Sequence, residues 1–144
     1  MNASAATHPE PAEATGPGEL PGLLRAHAVG GRLAGIAAVN LLITHRYWLT
    51  HPAFTGRFVH PVTTVDGHLA GARIDWAAAV TALDHGDLPG TDSETHLLRI
   101  AASLAAGTPI VMRQVLGGLD RTTITAVTAA ITAANGTHPE QDTP

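Results

Sequence analysis

Apolar residues recur at three- and four-residue spacings through most of residues 20–136 and alternate singly only between about 57 and 76. The first spacing marks one face of a helix, the second a half-buried strand. The pattern predicts a mainly α fold: five or six helices with one β-hairpin near 57–75. It places one mostly helical domain at 20–136 and leaves residues 1–19 and 137–144 outside it.

The first helix is expected to begin at Pro21, a favoured opening position, and to run to about Val29. Gly30–Gly31 then predicts a break, because each glycine costs about 1 kcal/mol relative to alanine inside a helix. A longer helix follows from about Arg32 to Leu49. Leu33, Ile36, Ala37, Asn40 and Leu41 mark one face of it, and Val39, Leu42 and Ile43 the other. A helix apolar on nearly all sides is buried on nearly all sides, so this one is expected at the centre of the domain or within an oligomer. His51–Pro52 ends it. Asp66–Gly67, between Arg57–Val65 and His68–Trp76, is a hairpin signal. A two-residue turn there would pair Val65 with His68, Thr63 with Ala70, Pro61 with Ala72 and Val59 with Ile74.

Three further signals divide the rest of the chain. Asp75 is placed to cap a helix from Trp76 to about His85. Thr91-Asp-Ser-Glu94 fits a capping box, opening a helix that stops at Gly107. A helix from Thr108–Pro109 to Gly117–Gly118 comes next. Asp120 then caps the last, with Ile124, Val127 and Ile131 expected on its inward stripe. Residues 91–136 thus read as a C-terminal three-helix unit.

Composition narrows the chemistry. There is no cysteine, so disulfides, thiolate metal sites and cysteine nucleophiles are excluded. There is no lysine either, which excludes Schiff-base catalysis. The Ala/Pro-rich segment 1–19 carries Glu10, Glu13 and Glu19 without arginine, and 137–144 carries Glu140 and Asp142. Both tails are expected to be disordered, because neither has enough large apolar residues to bury. Residues 20–136 hold eight arginines against seven acids. That near-neutral balance argues against a general polyanion surface. It also lacks the charge that keeps a lone domain dispersed, which points to a surface covered by a partner or another copy. The longest apolar stretch, Leu33 to Ile43, is well short of the roughly 20 residues that span a bilayer. The N-terminus has no cationic residue before an apolar run. A cytoplasmic protein with no membrane partner is expected.

The run Leu97-Leu-Arg-Ile-Ala-Ala-Ser-Leu-Ala-Ala-Gly-Thr-Pro109 with Gly118-Leu-Asp120, preceded by Tyr47-Trp48-Leu49 and Ile74-Asp75-Trp76, resembles small uncharacterised proteins of GC-rich bacteria over roughly residues 45–136. The resemblance implies no activity and assigns no functional residue.

Nine histidines invite a search for chemistry. His45 and His51 are six residues apart, which turns them away from each other on a helix, and His60 and His68 do not face each other in the expected hairpin register. Asp84-His85-Gly86-Asp87 stands where a helix stops, and turn chemistry explains it. None has the spacing of a metal site. No nucleophile elbow, phosphate loop or dinucleotide fingerprint occurs. No catalytic, metal or cofactor residue is assigned, and the chain is not expected to be an enzyme.

Two sets of residues remain as candidates. Tyr47, Trp48, Phe54 and Phe58 are the aromatic concentration of the chain, and Trp and Tyr anchor many partner sites; the competing role is the end of the core. Residues 109–135 also fit the outline of a helix-turn-helix, with Arg113, Arg121, Thr122 and Thr125 towards nucleic acid. Three arginines against two acids over 93–136 fall short of a basic face. Asn40 inside the apolar run either fixes the register of an assembly or bonds a neighbouring backbone carbonyl. The reading that follows is a non-enzymatic interaction or accessory subunit, oligomeric. A DNA-binding regulator is the alternative, and a metal-dependent or hydrolytic enzyme the third.

Overall fold

Local chain chemistry sets most of the element boundaries. In the computed structural model, which describes residues 19–136, the helices are α1 (Leu20–Ala28), α2 (Leu33–His45), α3 (Pro52–Phe58), α4 (Trp76–Asp84), α5 (Asp92–Ala106), α6 (Met112–Leu116) and α7 (Arg121–Ala134). A 3-10 turn spans Trp48–Thr50, and strands β1 (Val59–Thr63) and β2 (Leu69–Ile74) form the hairpin. The fold is mainly helical with one antiparallel hairpin. The two expected tails, apart from Glu19 beside the first helix, lie outside the described residues.

The expected caps form. Asp75 accepts the backbone N–H of Ala78 at 3.1 Å. Asp120 accepts that of Thr123 at 2.8 Å. Thr91 and Glu94 make both bonds of the capping box. Each satisfies donors that the first turn of a helix leaves without partners. Gly107 closes α5 at φ 73°, in the left-handed region that favours glycine.

Four expectations about helix bounds and phase need correction. α2 ends at His45, not near Leu49. Arg46 takes φ 73°, and that turn lets Trp48 swing into the core and donate its indole N–H to the Glu94 carbonyl at 2.9 Å. Residues 52–58 form a helix, which takes in Arg57 and Phe58 from the start of the expected first strand. Pro52 sits at the opening of α3, and Phe54 and Phe58, four apart, both bury. α6 begins at Met112 instead of near Pro109, because the chain stays extended through Val111. Finally, α7 is rotated from the expected phase. Thr123, Val127 and Ala130 are buried, whereas Ile124 and Ile131 are 40% and 48% exposed.

The hairpin keeps its expected base register, Val59 with Ile74 and Pro61 with Ala72. Its tip differs: a bulge after Val62 pairs Thr63 with Leu69, and Thr64 to His68 form a wider loop. The hydroxyl of Thr64 accepts the His68 N–H at 3.1 Å and stabilises that loop in place of a two-residue turn. A two-stranded hairpin is marginal alone, and β2 is supported by α1. Gly71 makes the approach possible, since a Cβ there would stand 3.1 Å from the Leu23 carbonyl oxygen and 3.3 Å from the His27 nitrogen. Backbone atoms cannot yield as a side-chain tip can. Gly71→Val is expected to lower stability by about 1–3 kcal/mol, read by urea unfolding; an unchanged midpoint would show that the contact is not close.

The buried side chains from Leu20 to Ala130 form one contiguous cluster. α2 lies at its centre, packed by α1, α5 and α7. The three C-terminal helices form as expected and pack onto the rest of the core: α7 chiefly on α2, and α6 on α5. Asn40 engages a side chain rather than a neighbouring backbone carbonyl. Its Oδ1 accepts from Arg25 Nε at 3.0 Å, tying α2 to α1 near the surface.

Candidate functional site

Three arrangements hold the chemistry of the molecule: a closed polar network, an open cleft and an uncharged helix face. The network forms where α2, α5 and α7 meet. Ser93 Oγ donates to Thr123 Oγ1 at 3.0 Å and accepts the backbone N–H of Asp120 at 3.2 Å. Thr123 Oγ1 also lies 3.3 Å from His45 Nε2. Asp120 completes the ring by capping α7. Its carboxyl is held below the usual aspartate range, first by the Thr123 backbone N–H, then by the Thr123 hydroxyl. A histidine, two hydroxyls and a carboxylate in one network resemble the parts of a nucleophilic site. Ser93 and Thr123 are 8% and 1% exposed, however, so no substrate reaches either oxygen in this conformation.

The cleft is open. It measures about 500 Å³ and lies between the end of α4, α5, the extended segment before α6, and α6 itself. His96 and Arg99, one turn apart on α5, form one wall. Gln114 and Val115 from α6 form another, and Ile110 and Val111 bring apolar surface. Arg99 Nη1 bonds Asp84 Oδ1 at 2.8 Å across the rim. Both partners are partly exposed, so the pair itself contributes little to stability, about 0–1 kcal/mol.

The aromatic set divides. Trp48, Phe54 and Phe58 are buried, their rings stacked in a tilted series at 5.6 Å between successive centroids. Tyr47 is half-buried and packs edge-on against Trp48 at 4.9 Å, with its hydroxyl donating to the Pro89 carbonyl at 3.2 Å. Burial raises the Tyr47 phenol pKa, and the Glu94 charge adds to the shift. Three of the four candidate anchors are therefore core in this conformation, and Tyr47 alone reaches the surface.

Arg113, Arg121, Thr122 and Thr125 are all exposed. The structure does not bring them together as a helix-turn-helix pair, because α6 is a five-residue helix on α5 and α7 docks on α2. Thr125 also spends its hydroxyl on the Arg121 carbonyl at 3.1 Å. Among the described residues no group of three or more His, Asp or Glu side chains could hold a metal ion, and no helix is long and apolar enough to cross a membrane. Compared with family models, curated proteins and solved structures, the chain matches none.

The outer face of α7, which the sequence offered only as Arg121, Thr122 and Thr125 towards nucleic acid, carries a second signal: residues 122–136 contain no charged side chain. Thr122, Ile124, Thr125, Thr128, Ala129 and Ile131 are exposed along it. Thr125, Thr128 and Thr132 donate their hydroxyls to the carbonyls four residues earlier. Those bonds turn polar groups inward on the helix and leave methyl-rich surface between the two isoleucines.

Proposed function

We propose that the protein is a non-enzymatic accessory subunit that self-associates through the outer face of α7. The observation that supports this reading is an exposed helix face with two isoleucines, back-bonded threonines and no charge over residues 122–136. A solvated helix ordinarily carries charged residues on its outer side. The occupant best matched to such a face is a second copy of the chain. A two-fold contact places the same patch against itself, and an uncharged patch meets itself without like-charge repulsion. With two α7 helices antiparallel and crossing near Thr128, Ile124 of each copy meets Ile131 of the other.

Sedimentation equilibrium over a range of concentrations tests the reading. The expected result is a dimer mass that falls to the monomer mass with Ile124→Glu combined with Ile131→Glu. The two side chains are 40% and 48% exposed, so each substitution should cost the monomer about 1 kcal/mol of lost apolar burial, and urea unfolding of the variant checks that it remains folded. A wild-type chain that stays monomeric, or a dimer that survives both glutamates, would overturn the proposal.

A further inference from the structure

We infer that the cleft between α5 and α6 binds a small aliphatic carboxylate, with Arg99 and His96 holding its head group. Its volume of about 500 Å³ falls within the range of small-molecule sites, roughly 300–1,000 Å³. The lining has two kinds of surface. Hydrogen-bond donors come from α5 and from Gln114, while Ile110, Val111 and Val115 supply branched aliphatic surface without an aromatic ring.

His96 adds a specific donor. Its Nδ1 is sealed from solvent and has no hydrogen-bond partner among the described residues. That atom faces Gly118 so closely that a Cβ there would come within 2.7 Å of it. A proton on Nδ1 would be a bare N–H in a closed space, which is costly to bury. The tautomer that avoids this carries the proton on Nε2, the ring nitrogen left accessible, where it can donate to a ligand.

Arg99 supplies the charge. Its guanidinium has five N–H donors, and the ion pair with Asp84 engages it through Nη1. A ligand carboxylate can share or replace Asp84 and form the forked pair that guanidinium geometry favours. The balance selects a monoanion. With Asp84 already beside Arg99, a doubly charged phosphate would face a carboxylate with no further cation among the lining residues. The aliphatic wall then selects a short branched chain on that carboxylate.

The test is a titration of the ¹⁵N-labelled full chain with sodium 3-methylbutanoate at constant ionic strength, alongside the uncharged 3-methylbutanamide. Saturable amide shifts are expected at residues 96–99 and 110–115. The amide should bind about tenfold more weakly or worse, the loss of one charge-assisted hydrogen bond. Arg99→Gln should weaken the acid by a similar factor. Asp84→Asn should tighten it, because it removes the competing carboxylate; damage to the fold could only weaken binding. No saturable shift, equal binding of acid and amide, or an affinity indifferent to Arg99→Gln would each overturn the inference. Mass measurements on the same samples keep its outcome separate from that of self-association through α7.

Discussion

Trp48→Ala is expected to cost about 3–5 kcal/mol, the range for deleting a large aromatic side chain from a core. Trp48 is fully buried. It packs on Phe54 at 5.6 Å, on Tyr47 at 4.9 Å and on Gly90, where a Cβ would already stand 3.3 Å from the indole ring. Its N–H bond to the Glu94 carbonyl ties the 3-10 turn after α2 to the first turn of α5. Removing the ring therefore opens a cavity where three segments converge. Trp48→Phe retains an aromatic ring but loses the N–H and part of the volume, so its expected cost is smaller, about 1–3 kcal/mol. Urea unfolding followed by circular dichroism measures both, with an unchanged slope confirming that the midpoint shift is a loss of stability. A cost under 1 kcal/mol for the alanine variant would show that Trp48 is not held as described. Because the ring has no exposed surface, any loss of assembly in this variant acts through the fold rather than through a missing partner contact.

The same residue shows where the sequence was legible. Capping chemistry is local: Asp75, Thr91 with Glu94, and Asp120 each act within three residues, and the helices begin where those residues predict. The end of α2 was not legible, because Ile43, Tyr47, Trp48 and Leu49 continue an apolar pattern through it. Only a contact 46 residues away, from Trp48 to Glu94, explains why the chain turns at Arg46. The phase of α7 failed for a related reason. Ranked by hydropathy, Ile124 and Ile131 belong inside. The helix instead presents Thr123, Val127 and Ala130 to α2, whose buried positions include Ala37 and Ala38. Two small-residue faces can approach closely, and the hydrogen bonds of Thr123 and Asp120 to Ser93 set the rotation. The cleft carried no spacing signal, since Asp84, His96, Arg99 and Gln114 come from three helices and meet only after α6 folds onto α5.

Those bonds around Ser93 also make Thr123→Val the most informative change outside the aromatic core, with an expected loss of about 1–3 kcal/mol. Valine matches the shape of threonine but cannot accept from Ser93 or bond His45 Nε2, which leaves buried polar atoms without partners. Ser93→Ala alone leaves Thr123 Oγ1 and the Asp120 N–H short of a partner. The double variant removes donor and acceptor together. Its loss should be smaller than the two single losses combined, with a coupling of about 0.5–3 kcal/mol. Acid unfolding supplies a second readout with a definite sign. Asp120 has a lower pKa in the folded chain than its ordinary value. Its contribution to stability is therefore complete above the unfolded aspartate value, about 3.9, and disappears as pH falls through the lowered folded value. Asp120→Asn should flatten the acid limb in that window and reduce stability at neutral pH. Thr123→Val should flatten it less, because the backbone N–H of residue 123 still reaches the carboxylate. Additive single losses, together with an acid limb as steep in Asp120→Asn as in the wild type, would mean that the four groups do not act as one network.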